Sequence, residues 1–372
     1  MFTRKKWLAA GALASAMVTV AASPSLAAGG WSVTTVSAGS GNNVTLNAAF
    51  ARTNNDAWAV GSQFAPAGAT PPAPPTFHWN GTGWSYVPTP ALGVNAALYS
   101  VSASSATDAW AVGSEISSYS SRTTLLERWN GTAWTVDTAD AVSSRRAILD
   151  SVLDLSASNA YAIGTGPAGT LFEHWDGGKW SQLALPDARF SPSPYGESIS
   201  ASSPSDIWVV GTSFSASTGQ TVAEALHYNG TAWAVVPMAQ PAAGTPAITA
   251  VTAISPTDAW AVGLNGTPLT ENWNGKAWTI VPSPAPNGVF VTRFTGVAAR
   301  SANDVIAVGT GIPSAVNTGG EQAVILRWNG TSWSDDTGGT ITGGYYAAAT
   351  FPGAAKEFVV GYTGLGAILT HT

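Results

Sequence analysis

A chain of 372 residues without cysteine can hold neither a disulfide nor a thiolate metal site, so its stability has to come from packing. Fifteen Lys and Arg against 21 Asp and Glu give a net charge of −6, which disfavours nucleic acid as a partner, and no basic stripe runs along the chain. Only 10% of residues are charged, whereas 40 are Gly and 17 are Trp, a composition suited to sheets covered on both faces and joined by short turns.

The first stretch reads as a secretory signal peptide. Arg4, Lys5 and Lys6 give a basic start, Leu8 to Ala22 an apolar run, and Ser25-Leu26-Ala27 a small-residue end, with cleavage expected after Ala27 or Ala28. The run is too short for a membrane span, and no later stretch approaches the required length. Losing the three basic residues leaves 12 Lys and Arg against 21 Asp and Glu, a net charge of −9. The expected product is an extracellular protein of residues 28–372, forming one all-β domain with no membrane insertion.

From there two motifs alternate at a period of roughly 45 to 55 residues, the range of propeller repeats. One is the second-strand motif AWAVG after Asp56, Asp108 and Asp258, with IWVVG after Asp206, AYAIG after Asn159 and VIAVG after Asp304. The other is an Asn-Gly or Asp-Gly pair flanked by aromatic residues, as in ERWNGTAWTV from Glu127, with counterparts starting at His78, His174, His227, Asn272 and Arg327. Such a pair predicts a two-residue type I′ hairpin, whose central residues both need positive φ. Residues 98 to 137 then read as four strands, the second alternating Trp110 and Val112 with Ala109 and Ala111.

Second strands centre on Trp58, Trp110, Tyr161, Trp208, Trp260, Ile306 and Phe358, which makes seven repeats, yet only six hairpins follow them. The chain stops after a third strand, Ile368 to Thr372, and Gly29 to Thr34 matches the missing fourth. The expected fold is a seven-bladed β-propeller of four-stranded antiparallel blades, with residues 31 to 36 closing the last blade and leaving no free sheet edge.

Repeats carrying DAWAVG and WNGTxW resemble the secreted bacterial repeat proteins grouped with kelch and galactose-oxidase-like propellers, over the whole of residues 28–372. The resemblance implies the fold; members of that group include lectins, sugar oxidases, lyases and docking platforms. A kelch repeat has a double glycine in its second strand, where this chain has a single one, as in Val112-Gly113. Copper radical oxidases of the group need a cysteine crosslinked to tyrosine, and a chain without cysteine cannot be one.

Residues that recur in every repeat are expected to build the fold. The Trp residues fall at repeat positions and read as packing, each pair flanking a hairpin; partial exposure would make them sugar platforms. His78, His174, His227 and His371 share one position with Arg128, Arg327 and Asn272, which suits a donor to the turn acid or a carbonyl rather than a catalytic base. The acids Asp56, Asp108, Asp206, Asp258 and Asp304 read as turn caps.

Function is expected on what does not repeat: the loops between second and third strands and the blade-to-blade connections, which share one face. There, repeats 3 and 4 concentrate charge in Arg145, Arg146, Asp150, Asp187, Arg189 and Glu197. Asp150 and Glu197 take equivalent places at the start of inner strands, where other repeats have Tyr99, Thr249 and Thr295, and a suitable separation would fit them for glycoside cleavage. Tyr99, Tyr119, Tyr195, Phe290, Tyr345 and Tyr346 add stacking surface for sugars or peptides. No EF-hand loop, HExxH, P-loop, dinucleotide fingerprint or GxSxG elbow is present, so no cofactor or metal is expected. The sequence points to a monomeric, non-enzymatic module that binds carbohydrate or an extracellular protein, with a polysaccharide hydrolase or lyase using Asp150 and Glu197 as the alternative.

Overall fold

A four-stranded sheet that carries large residues on both faces cannot bury them alone, so each repeat must stack on its neighbours. The computed structural model describes residues 30–372 except 39–42, 65–68, 119–120, 139–146, 186–189, 191–195, 216–218, 286–288, 314–319 and 352. The described residues form a β-propeller of four-stranded antiparallel blades. Five blades stand as separate four-stranded sheets, and the eight strands of residues 44–136 share one sheet through a single pairing, Ser62 with Ala97. In repeat 3 the strands are Ile148–Ser156, Asn159–Gly166, Gly169–Trp175 and Trp180–Gln182, each antiparallel to the next. The strand Ser32–Val36 pairs with Gly366–His371, so the N-terminal segment completes the last blade as its sequence match predicts.

Aromatic residues join one blade to the next. Trp110 of repeat 2 meets Trp175 and Trp180 of repeat 3 at ring centroid distances of 5.0 and 4.9 Å. The same three-ring arrangement places Trp58 against Trp129 and Trp134, Trp208 against Trp273 and Trp278, Trp260 against Trp328 and Trp333, and Phe358 against Trp79 and Trp84. These largely edge-on contacts assign the hairpin Trp pairs to packing between blades, most of them buried and Trp129, Trp233 and Trp328 half-buried. At the seam between repeats 6 and 7, Ile306 takes the Trp position and packs in one cluster with the fully buried Trp31.

Three local expectations need correction. The Asn-Gly hairpins are four-residue loops: Trp129 pairs with Trp134, and the Asn130 side chain accepts from the backbone N–H groups of Thr132 and Ala133 at 2.9 and 3.0 Å. Asn therefore serves as a side-chain acceptor, and Gly131 takes the positive φ of 90°. The turn acids cap nothing; Ser105, Ser203 and Ser255 hold the turn N–H groups instead. Asp56, Asp108 and Asp206 are buried acceptors that receive His78 at 2.7 Å, Arg128 at 2.8 Å and His227 at 2.6 Å, as the donor reading of that shared position predicts. His371 leaves the shared position: Thr370 lies opposite Phe358, and His371 lies one residue further on, facing Glu357.

In six of the seven repeats the glycine ending the AWAVG-type motif has a backbone cause. Opposite it, the inner strand bulges by one residue, as at Tyr99 between the pairs Leu98–Gly113 and Ser100–Val112. The bulge presses a carbonyl onto the second strand, so that a Cβ on Gly113 would lie 1.9 Å from the oxygen of Ala97. Equivalent bulges fall at Asn47, Asp150, Thr249, Thr295 and Tyr346.

Candidate functional site at the channel mouth

The bulged residues converge. Asn47, Tyr99, Asp150, Glu197, Thr249, Thr295 and Tyr346, one from each inner strand or its approach, line a cavity of about 510 Å³ at one end of the central channel. It opens on the face of the variable loops, because every inner strand starts there. A second cavity of about 270 Å³, lined by the later residues of the same strands, continues down the channel.

At three places on this ring a neutral donor ties its blade to the next. Asn47 donates to the carbonyl of Leu98 at 2.9 Å, Thr249 to Phe294 at 2.9 Å and Thr295 to Tyr345 at 3.0 Å. Each acceptor immediately precedes the next bulged residue. By the same geometry Asp150 lies against Gly196, where an added Cβ would come within 3.0 Å of its Cγ, but a carboxylate has no proton to donate. Asp150 instead faces the Glu197 carboxyl within hydrogen-bonding contact. Glu197 is only 4% exposed, and among the described residues no N–H or hydroxyl group of another residue reaches either of its side-chain oxygens.

Burial pushes both carboxyls above the usual range, Glu197 furthest because the charge of Asp150 adds to its desolvation, while the nearby Arg122 guanidinium favours the ionised form of Asp150. One proton is therefore held between two carboxyls.

Four of the residues singled out from sequence, Tyr99, Asp150, Glu197 and Tyr346, meet at the mouth. Tyr345 does not: the strand places it one residue before the bulge, where its side chain is fully buried between blades. Tyr119, Arg145, Arg146, Asp187, Arg189 and Tyr195 lie outside the described residues. Phe290 is 59% exposed on the loop face. Sequence reasoning missed Asn47 and Arg122, both at the mouth; Asn47 was findable by extending the alignment of inner strands to repeat 1.

Threonine at positions 150 and 197 would restore the donor that repeats 5 and 6 carry. Asp150→Thr and Glu197→Thr should each raise stability by about 1 kcal/mol, measured by chemical denaturation at neutral pH. A loss of stability in both would mean that the carboxyl pair itself holds blades 3 and 4 together.

The fold and its mouth define a propeller with a lined, open channel end, and comparison with known proteins agrees at the level of the fold. No family model matches the chain, and no curated protein matches it in sequence. The chain is similar to the solved structure of YCF48 bound to D1 peptide, with a TM-score of 0.59 and 15% identity over 95% of this chain and 98% of that one. It is similar also to YCF48 from Cyanidioschyzon merolae, with a TM-score of 0.57 and 14% identity over 92% and 98%. U3-55K matches with a TM-score of 0.57 and 9% identity over 91% and 98%.

Proposed function

We propose that this chain is a secreted, seven-bladed, non-enzymatic binding propeller that holds a polypeptide segment across the loop face, over the channel mouth. The seven-blade count takes the eight-stranded sheet as two blades, since one residue pair joins its halves and seven inner strands line the channel. The observation that carries the binding reading is the asymmetry of the two faces. Of the six exposed large hydrophobic residues among the described residues, Phe64, Phe214, Phe290 and Leu365 lie on loop-face segments, the face on which the channel mouth opens. The opposite face consists of short turns closed by their own Asn, Ser and Thr side chains. Exposed aromatic anchors around a polar centre suit a polypeptide partner. Carbohydrate is the weaker alternative because the Trp pairs are spent on packing. The solved YCF48 structure carries a peptide, which supports this class of ligand for a propeller of this shape.

The test has two arms. Exported protein should begin at Ala28 or Gly29 by N-terminal sequencing, and the purified chain should bind members of an immobilised peptide panel but stay in solution over insoluble polysaccharides. Phe64→Asp combined with Phe290→Asp should weaken peptide binding about tenfold or more, as expected for interface anchors, without changing the melting temperature. Depletion by a polysaccharide would replace the polypeptide with a glycan as the ligand.

A further inference from the structure

The carboxyl pair sets two acids side by side, in adjacent repeats, on a ring whose other residues are Asn, Thr and Tyr. Glu197 is buried, lines the open cavity and, among the described residues, receives no N–H or hydroxyl donor from any other residue. Arg122 also lines the mouth, and its charge acts on Asp150. Arg293 and Glu321 act on Tyr346, another residue of the same ring. Among the described residues no cation is paired with Glu197, which lines the mouth of a cavity of about 510 Å³. A buried acid without a donor costs stability, and departures of this kind are expected where a site is kept for a ligand.

We propose that Asp150 and Glu197 form a receptor for the ammonium or guanidinium end of a lysine or arginine side chain, which a polypeptide on the loop face inserts end-on into the channel mouth. The inference rests on the polypeptide-binding reading and names the group that the partner must present. Tyr99 and Tyr346 line the same mouth, where their ring faces suit a cation and its alkyl stem. The arriving cation takes the place of the shared proton: it binds with both carboxyls ionised, and one proton leaves Glu197 to solvent. Free Glu197 holds that proton until pH rises above the neutral range, since its pKa is raised, and an adjacent cation favours the ionised form. Binding therefore releases a proton and tightens with pH, by up to about tenfold per pH unit between about pH 6 and about pH 8.

The experiment is selection of a random seven-residue peptide display library on the immobilised full mature chain, alongside Glu197→Thr and Asp150→Thr. Wild type should enrich peptides with Lys or Arg at one fixed position, and both variants should lose that preference while melting at or above the wild-type temperature. A synthetic peptide from the enriched set should bind about tenfold or more weakly when that residue becomes norleucine. Its binding heat should vary with the ionisation enthalpy of the buffer in proportion to about one released proton. Comparison of Lys with Arg at that position separates ammonium from guanidinium. Enrichment without a basic residue, equal in wild type and variants, would overturn the receptor while leaving the polypeptide-binding face intact. Enrichment of acidic residues would overturn it in favour of Arg122. No enrichment at all would overturn both.

Discussion

Gly164→Ala destabilises the chain by about 3 kcal/mol or more, at the upper end of what overpacking costs. Its new Cβ would lie 2.1 Å from the carbonyl oxygen of Ile148 and 2.7 Å from the Cα of Leu149, and both are backbone atoms that cannot rotate aside. Relief requires the bulge at Asp150 to flatten, which would turn that residue out of the ring and shift each later residue of the strand to the other face. The variant should therefore lose both stability and the channel-mouth site, read as a fall in denaturation midpoint together with loss of any pH-dependent ligand binding. Gly211 tests the cause. In repeat 4 the groups facing the glycine are side chains, the Phe190 ring at 2.8 Å and the Glu197 Cγ at 3.2 Å, so Gly211→Ala can be absorbed by rotation. It should cost about 1 kcal/mol. Gly83 has no neighbour within 4 Å of an added Cβ, and Gly83→Ala should leave the midpoint unchanged. Equal losses at Gly164 and Gly83 would show that helpful backbone freedom, rather than the bulge, explains the motif's glycine.

That glycine also marks how far the sequence could be read. Repeated motifs made the strands, their order within a blade and the closure by residues 31 to 36 legible, because each depends on local pattern and on matching one repeat to another. Asp150 and Glu197 were legible for the same reason: they stand where other repeats carry Tyr99, Thr249 and Thr295. What could not be read was contact between repeats. Trp110 meets Trp175 and Trp180 in space, a partnership across repeats that reading each pair as flanking its hairpin does not specify. The loss of Tyr345 to the core and the gain of Tyr346 at the mouth turn on the bulge between the pairs Tyr345–Gly361 and Ala347–Val360, a one-residue irregularity with no signature beyond the glycine opposite. The contact between the two carboxyls likewise comes from blade stacking, and no spacing of 47 positions along a chain encodes a distance across a channel.

Arg327→Leu destabilises the chain by about 3 to 5 kcal/mol, the cost of removing one partner from a buried ion pair. Arg327 reaches Asp304 at 2.7 Å, Asp336 at 2.9 Å and Glu357 in still closer contact, and Glu357 is completely buried. Arg300 supports the same group, at 2.7 Å from Asp304 and 3.4 Å from Glu357. These residues span the seam between repeats 6 and 7, the one that has Ile306 in place of a second-strand Trp and that must also hold the N-terminal strand, where the Trp31 indole donates to the carbonyl of Asp336 at 3.0 Å. Burial already holds the Glu357 carboxyl above its usual range against the pull of both arginines, and without Arg327 its pKa rises further. A carboxyl whose folded pKa is raised stabilises the fold fully at low pH and loses that contribution as pH rises through the folded value. The variant should thus fall further below wild type at about pH 8 than at about pH 5. Glu357→Gln added to Arg327→Leu should recover part of the loss and flatten the pH dependence, because it removes the stranded charge. Hydrogen exchange should locate the damage: amides of Ser32–Val36 and Gly366–His371 should lose protection before those of repeats 2 to 5. Uniform loss of protection around the ring would mean that the seam carries no special share of closure.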